Sequence, residues 1–185
     1  MPGSARVLCA LGALLLVSFA AQHASAQATN VRRRGVANAD DVEAATQGPK
    51  FNLTAGAFFR SPSDHVGFSG AGDFYYDFRL GPLVLAPGAR LSAYTIRDFL
   101  SVAGYATARM GVSIGPVLPY VMGGAGVGYI GLHAQEWGFA YLGGGGVMVI
   151  LRRRAAVGVE ASYQGYTGTP FAATYLGANI QFSYY

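Results

Sequence analysis

Residues 174–185 read Thr-Tyr-Leu-Gly-Ala-Asn-Ile-Gln-Phe-Ser-Tyr-Tyr, a stretch in which Gly177, Asn179 and Gln181 alternate with Ala178, Ile180 and Phe182. Alternation with a period of two marks a strand with one polar and one apolar face. The same texture, rich in glycine, tyrosine and phenylalanine, runs back to Phe51. It separates into eight runs: 51–60, 66–78, 83–96, 99–112, 117–130, 137–151, 154–166 and 171–184. Turn residues stand between them: Ser61-Pro62-Ser63-Asp64, Leu80-Gly81-Pro82, Arg97-Asp98, Gly115-Pro116, Gly131 to Glu136, Arg152 to Arg154 and Thr167-Gly168-Thr169-Pro170. The links are hairpin-short, and an even number of strands lets an antiparallel sheet close. The fold expected is therefore all-β, an eight-stranded antiparallel up-and-down β-barrel.

Hairpin pairing checks the assignment, because opposed residues share a face and a slip of one residue inverts the strand. A turn centred on Leu80 and Gly81 sets Asp73 opposite Gly88 and diagonal to Arg90. Phe74, Tyr76 and Phe78 then share the other face with Ala89, Leu91 and Ala93. A turn through Arg153 and another near Gly168 to Thr169 place Glu160 between Gly146 and Gly177, while Val157, Val159, Ala161 and Tyr163 point away with Val147, Val149, Ile180 and Phe182. The fifth run is apolar or glycine on both faces, and its orientation is left open.

A soluble lipocalin-like barrel has the same period with the faces exchanged. Charge decides between them. The chain is 52% hydrophobic and 12% charged, about half the usual charged share. The polar face carries Asp73, Asp77, Arg90, Arg109 and Glu160 among small and amide residues, too few charges to coat a soluble barrel and enough to fill a narrow lumen. The apolar face is then the exterior, with aromatics toward the strand ends (Phe58, Phe59, Phe74, Tyr76, Phe78, Phe99, Trp137, Phe139, Phe171 and Tyr184), as at a lipid–water boundary. Each run can supply the ~9–11 tilted residues that cross a bilayer, and closure leaves no unpaired backbone in hydrocarbon. Asp73, Asp77, Arg90, Tyr105, Arg109, Glu160, Asn179 and Gln181 are expected to form a polar network that plugs the lumen; a narrow ion path is the alternative use of the same residues.

The N-terminus reads as a secretory signal: Arg6, then an apolar run from Val7 to Ala21, then Ala24-Ser25-Ala26 as cleavage site. Residues 1–26 are thus expected to be removed, and with them Cys9, the chain's single cysteine, which leaves no disulfide, thiolate ligand or cysteine nucleophile. Residues 27–49, with Arg32 to Arg34 followed by Asp40, Asp41 and Glu43 and no aromatic, read as a flexible periplasmic tether in which a short helix over 38–46 is possible; residues 50–185 form the barrel. The formal charge of +4 comes partly from Arg32 to Arg34 and Arg152 to Arg154, so no broad basic face addresses nucleic acid.

The chain resembles the OmpA-like outer-membrane β-barrel domain family in three features. Pro119-Tyr120-Val121-Met122-Gly123-Gly124-Ala125-Gly126-Val127-Gly128-Tyr129 is similar to the family's glycine-rich fifth strand. Tyr175, Gly177, Ile180 and Phe182, with an aromatic last residue, Tyr185, resemble the barrel-assembly signal, Ile180 standing where an aromatic is often found. The third feature is the arrangement itself, a cleaved signal and then eight strands. The resemblance implies the Gram-negative outer membrane, insertion by its assembly machinery, contact with outer-membrane lipids and lipopolysaccharide, and a porin-like monomer; it does not imply one activity. The surface loops are shorter than those of adhesin relatives and no peptidoglycan-binding stretch follows the barrel, which speaks against both roles.

Two constellations suggest chemistry and carry little. Gly126-x-Gly128-x-x-Gly131 matches a dinucleotide fingerprint, which needs a strand-to-helix turn absent from this pattern, so no cofactor is expected. His65 and His133, near Asp64 and Glu136, could serve a hydrolase at the outer leaflet, but no serine nucleophile stands at the spacing such barrels use, and two separated imidazoles hold no metal. Arg152 to Arg154 could touch anionic headgroups. The reading is a structural or surface-interaction protein of the envelope, not an enzyme, with a lipid-modifying outer-membrane enzyme, a narrow pore and a soluble binder of apolar ligands as alternatives.

Overall fold

The computed structural model describes residues 37–61, 66–96, 99–131, 135–168 and 172–184. The expected signal segment, His65, His133 and Tyr185 lie outside them.

Eight strands follow a short helix: α1 (Ala39–Ala45), β1 (Gly48–Ser61), β2 (Val66–Leu80), β3 (Leu83–Ile96), β4 (Phe99–Val112), β5 (Val117–Gly131), β6 (Gln135–Arg152), β7 (Ala155–Tyr166) and β8 (Ala172–Ser183). Each strand pairs antiparallel with the next, and β1 pairs with β8, so the sheet is a closed barrel in sequence order. Closure satisfies every strand on both sides and leaves no edge.

The turns differ in one place from the pairing expected. Leu80 opposes Leu83, so Gly81 and Pro82 form the turn, and Asp73 stands directly opposite Arg90 rather than Gly88. Gly81 has φ +65° at the first central position of the turn, and the ring of Pro82 holds φ negative at the second, the signs of a type II′ hairpin turn. The shift is two residues, so the faces are unchanged. The pairings of Glu160 with Gly146 and with Gly177 are as expected.

The faces separate by polarity in the sense opposite to a soluble protein. Phe68 and Trp137 are 80% and 76% exposed, and Leu53, Phe74, Leu91, Val121, Val127, Val159, Leu176 and Ile180 also face outward. Inward lie Lys50, Asp73, Asp77, Arg90, Arg109 and Glu160, all buried. The open question of β5 is settled: Leu118, Tyr120, Met122 and Ile130 point in, Val121 and Val127 out. Aromatic rings pair on the outer wall near both ends, Tyr76 with Phe78 at 4.8 Å and Tyr129 with Trp137 at 5.4 Å. Phe58 departs from the expectation: it is fully buried, meeting Tyr94 edge-on at 5.4 Å, because its place in the alternation of β1 is that of Asn52 and Thr54.

The second half of the tether expected over 27–49 is structured, from Asn38 onward. Asn38 is the N-cap of α1, its side chain accepting from Asp41 N at 2.8 Å while the Asp41 carboxylate accepts from Asn38 N at 3.3 Å, a complete capping box. Asp40 and Asp41 also suit the positive end of the helix dipole. Val42 and Ala45 are buried in the cluster that holds Leu118, Met148, Ile150 and Ala156, and the barrel begins at Gly48.

Candidate functional site

The interior of an eight-stranded barrel is just wide enough to be filled by side chains. Here it is filled in three layers. In the middle layer, Arg90 on β3 reaches Glu160 on β7, Nη2 to Oε1 at 2.6 Å. Its Nε stands 3.1 Å from Asp73 Oδ1, an ion-pair contact without the alignment of a hydrogen bond. Tyr120 donates to Glu160 Oε2 at 3.0 Å and accepts from Asn179 Nδ2 at 3.0 Å. Asn52 Nδ2 donates to Asp73 Oδ2 at 2.8 Å, and the Tyr75 hydroxyl donates to Oδ1 at 3.3 Å. Glycine makes the space: a Cβ on Gly146, opposite Glu160, would stand 2.2 Å from Val159 O and 2.8 Å from Tyr120 Oη.

The layer toward the short turns is built on Arg109 of β4. It pairs with Asp77 Oδ1 at 3.1 Å, donates to Gln181 Oε1 at 3.0 Å, and lies over the rings of Tyr75 and Tyr120, 4.6 and 5.3 Å from their centroids. Beneath it Lys50 donates from Nζ to the carbonyl oxygens of Gln47 and, at 3.5 Å, Ala44. Toward the other end the layer is uncharged. Tyr105 donates to Gln164 Oε1 at 2.8 Å, Ser101 and Tyr166 share a bond of 2.6 Å, and Tyr94 donates to Ser92 at 3.1 Å.

All eight residues expected in the lumen are inside. They do not form one cluster: Tyr105 belongs to the uncharged end, Arg109, Asp77 and Gln181 to the turn end, and the rest to the middle. Sequence reasoning missed Lys50, Asn52, Tyr75, Tyr120 and Gln164; Asn52 and Gln164 show in the alternation of their strands, whereas the tyrosines could equally have been interfacial.

Burying an ion costs several kcal/mol unless it is paired and hydrogen-bonded. Among the described residues the buried charges are three carboxylates (Asp73, Asp77, Glu160) and three cations (Lys50, Arg90, Arg109), so the interior is neutral. Asp73 and Glu160 are both held on Arg90 and each accepts further bonds. On the outer wall an open groove of about 640 Å³ crosses the barrel between Leu53, Leu91 and Ile180, floored by Ala55, Gly70, Ala93 and Ala178; its lining is apolar and offers no convergent polar groups. His65 and His133 lie outside the described residues.

No family model matches the chain. No curated protein matches it either. Solved structures do. Neisserial surface protein A is similar with a TM-score of 0.61 at 16% identity, over 75% of this chain and 98% of that one. Ail, the attachment invasion locus protein of Yersinia pestis, gives 0.52 at 14%, over 74% and 99%. The outer membrane enzyme PagL gives 0.51 at 12%, over 72% and 99%. This is the fold of the small eight-stranded outer-membrane barrels. At such identities the likeness concerns the fold alone, and one of the three structures is of an enzyme.

Proposed function

We propose that the chain is a monomeric OmpA-like barrel of the Gram-negative outer membrane, with a structural or surface-interaction role and a lumen closed by its own side chains. The observation that carries this reading is the inverted polarity, Arg90, Asp73 and Glu160 buried within while Phe68, Leu91, Val159 and Trp137 face outward. An exterior of that kind needs hydrocarbon around it. The likeness to small outer-membrane barrels supports the same location. A role in assembly for the last strand fits its geometry: Tyr175 and Gly177 turn inward, Ile180 and Phe182 outward to lipid. Absence of catalysis is part of the proposal, since the interior carboxylates are engaged by Arg90, Asn52 and Tyr120.

The test is gel mobility in detergent with and without boiling, together with fractionation. A membrane-embedded barrel stays folded in cold detergent and shifts on boiling; a soluble protein recovered from the periplasm without detergent would overturn the reading. Release of acyl chains from purified outer membrane would replace the structural role with a lipid-modifying one.

A further inference from the structure

The helix α1 is tied to the barrel at both of its ends, and the two ties are on opposite walls. Near its N-terminus, Asp41 Oδ1 is 3.0 Å from Arg153 Nε in the turn between β6 and β7. At its C-cap, Thr46 Oγ1 accepts from Arg79 Nη1 at 3.3 Å, at the end of β2. In a ring of eight, β2 and β6 are four strands apart in either direction, which is a diameter. Between the ties, Lys50 of β1 donates to the carbonyls of Ala44 and Gln47, the acceptors left over where a helix ends. The underside of the helix, Val42 and Ala45, is buried in the cluster with inward-facing Leu118, Ile150 and Ala156 at the turn end of β5, β6 and β7. Seven residues of helix span about 10 Å, enough to lie across the mouth of so narrow a barrel.

We infer that α1 is a crossbar closing the turn-end mouth, a releasable seal separate from the salt-bridged plug above it and going beyond the role proposed for the barrel. Its latch is electrostatic. Asp40, Asp41 and Glu43 make the helix acidic, and Arg152 to Arg154 make the turn beside it basic. The tie between Asp41 and Arg153 is partly exposed, with side chains 23% and 63% accessible, so it is the one that salt and competing anions reach. Release of α1 uncovers Lys50 and, above it, the layer of Asp77 and Arg109.

The experiment uses the full chain with Cys9→Ser and a single reporter thiol, Val42→Cys, at a buried position on the underside of the helix that makes neither tie. Its rate of reaction with a membrane-impermeant maleimide is compared with that of Gln47→Cys, an exposed position just past the helix. Val42→Cys is expected to react at least about tenfold more slowly, as a residue reached only by local opening does. Adding Arg153→Glu, which sets two carboxylates together, should speed it by roughly two- to fivefold, the scale of an exposed pair, leave Gln47→Cys unchanged, and leave the boiling-dependent gel shift intact. Adding Asp41→Arg to that variant should restore part of the protection, since the pair re-forms with its signs exchanged while the capping-box bond from Asn38 N is given up. High salt should speed the parent and not the reference. Equal rates at the two positions in the parent, or a rate indifferent to both Arg153→Glu and salt, overturns the seal; either result leaves the membrane reading standing, since that rests on the gel shift.

Discussion

Arg90 on β3 and Glu160 on β7 meet at 2.6 Å across the full width of the barrel, four strands apart in either direction around the ring. Arg109 on β4 and Gln181 on β8 do the same at 3.0 Å. The walls are therefore tied through the lumen as well as around it, and the interior is a set of struts.

Glu160→Ala should weaken the barrel by about 3–5 kcal/mol, the scale for breaking a buried pair and stranding one charge. Arg90 keeps Asp73, and Tyr120 loses its acceptor. The midpoint of the thermally driven gel shift should fall while conductance in planar bilayers rises little. A large conductance with unchanged melting would make the network a gate rather than a plug.

Gly146→Ala tests the space beside Glu160. The added methyl meets Val159 O at 2.2 Å and Tyr120 Oη at 2.8 Å, so strand or ring must shift. Overpacking of this kind costs about 1–3 kcal/mol, and chemical unfolding should register it. The same substitution at Gly143, whose added Cβ would meet nothing within 4 Å, is expected to be nearly neutral.

Val159→Arg tests which face is outside. Val159 is 59% exposed midway along β7, paired with Val147 and Ala178. In a bilayer the substitution should cost about 2–4 kcal/mol near the midplane, seen as reduced folding yield into liposomes. A soluble barrel would tolerate it or become more soluble.

Lys50→Met tests the anchor beneath α1. A charged donor to two helix-end carbonyls is lost while Arg109 keeps Asp77 paired. A charge-assisted bond contributes about 1.5–3 kcal/mol, so amide hydrogen exchange in residues 39–46 should quicken by roughly tenfold or more, with the exchange of β2 to β7 unchanged.

The sequence showed the barrel because alternation survives wherever one face meets lipid and the other a polar core. Even the misplaced turn at Leu80 did no harm, since a displacement of two residues returns every side chain to its face. β5 was illegible for the converse reason: with Met122, Ile130 and several glycines inside and Val121 and Val127 outside, polarity does not distinguish its faces. Its inward tyrosine is polar only at the tip, and the acceptor for that tip, Glu160, is 40 residues further along the chain. Phe58 was misplaced by residue type, since an aromatic near a strand end suits an interfacial belt and an inner layer equally. The helix had its signal in Asn38-Ala39-Asp40-Asp41, but a capping box cannot tell where a helix docks, and the arginines that hold it come far along the chain, Arg79 lying 33 residues after Thr46 and Arg153 lying 112 residues after Asp41.

The equality of positive and negative groups within the cylinder bears on how such a molecule enters a bilayer. Among the described residues the lumen groups have no surplus of either sign, so the lumen carries no monopole into oil, drags no counter-ions with it, and feels no net pull from a voltage across the membrane. Its polar contents can travel inward already neutralised, and the work of insertion is left to the greasy outer wall.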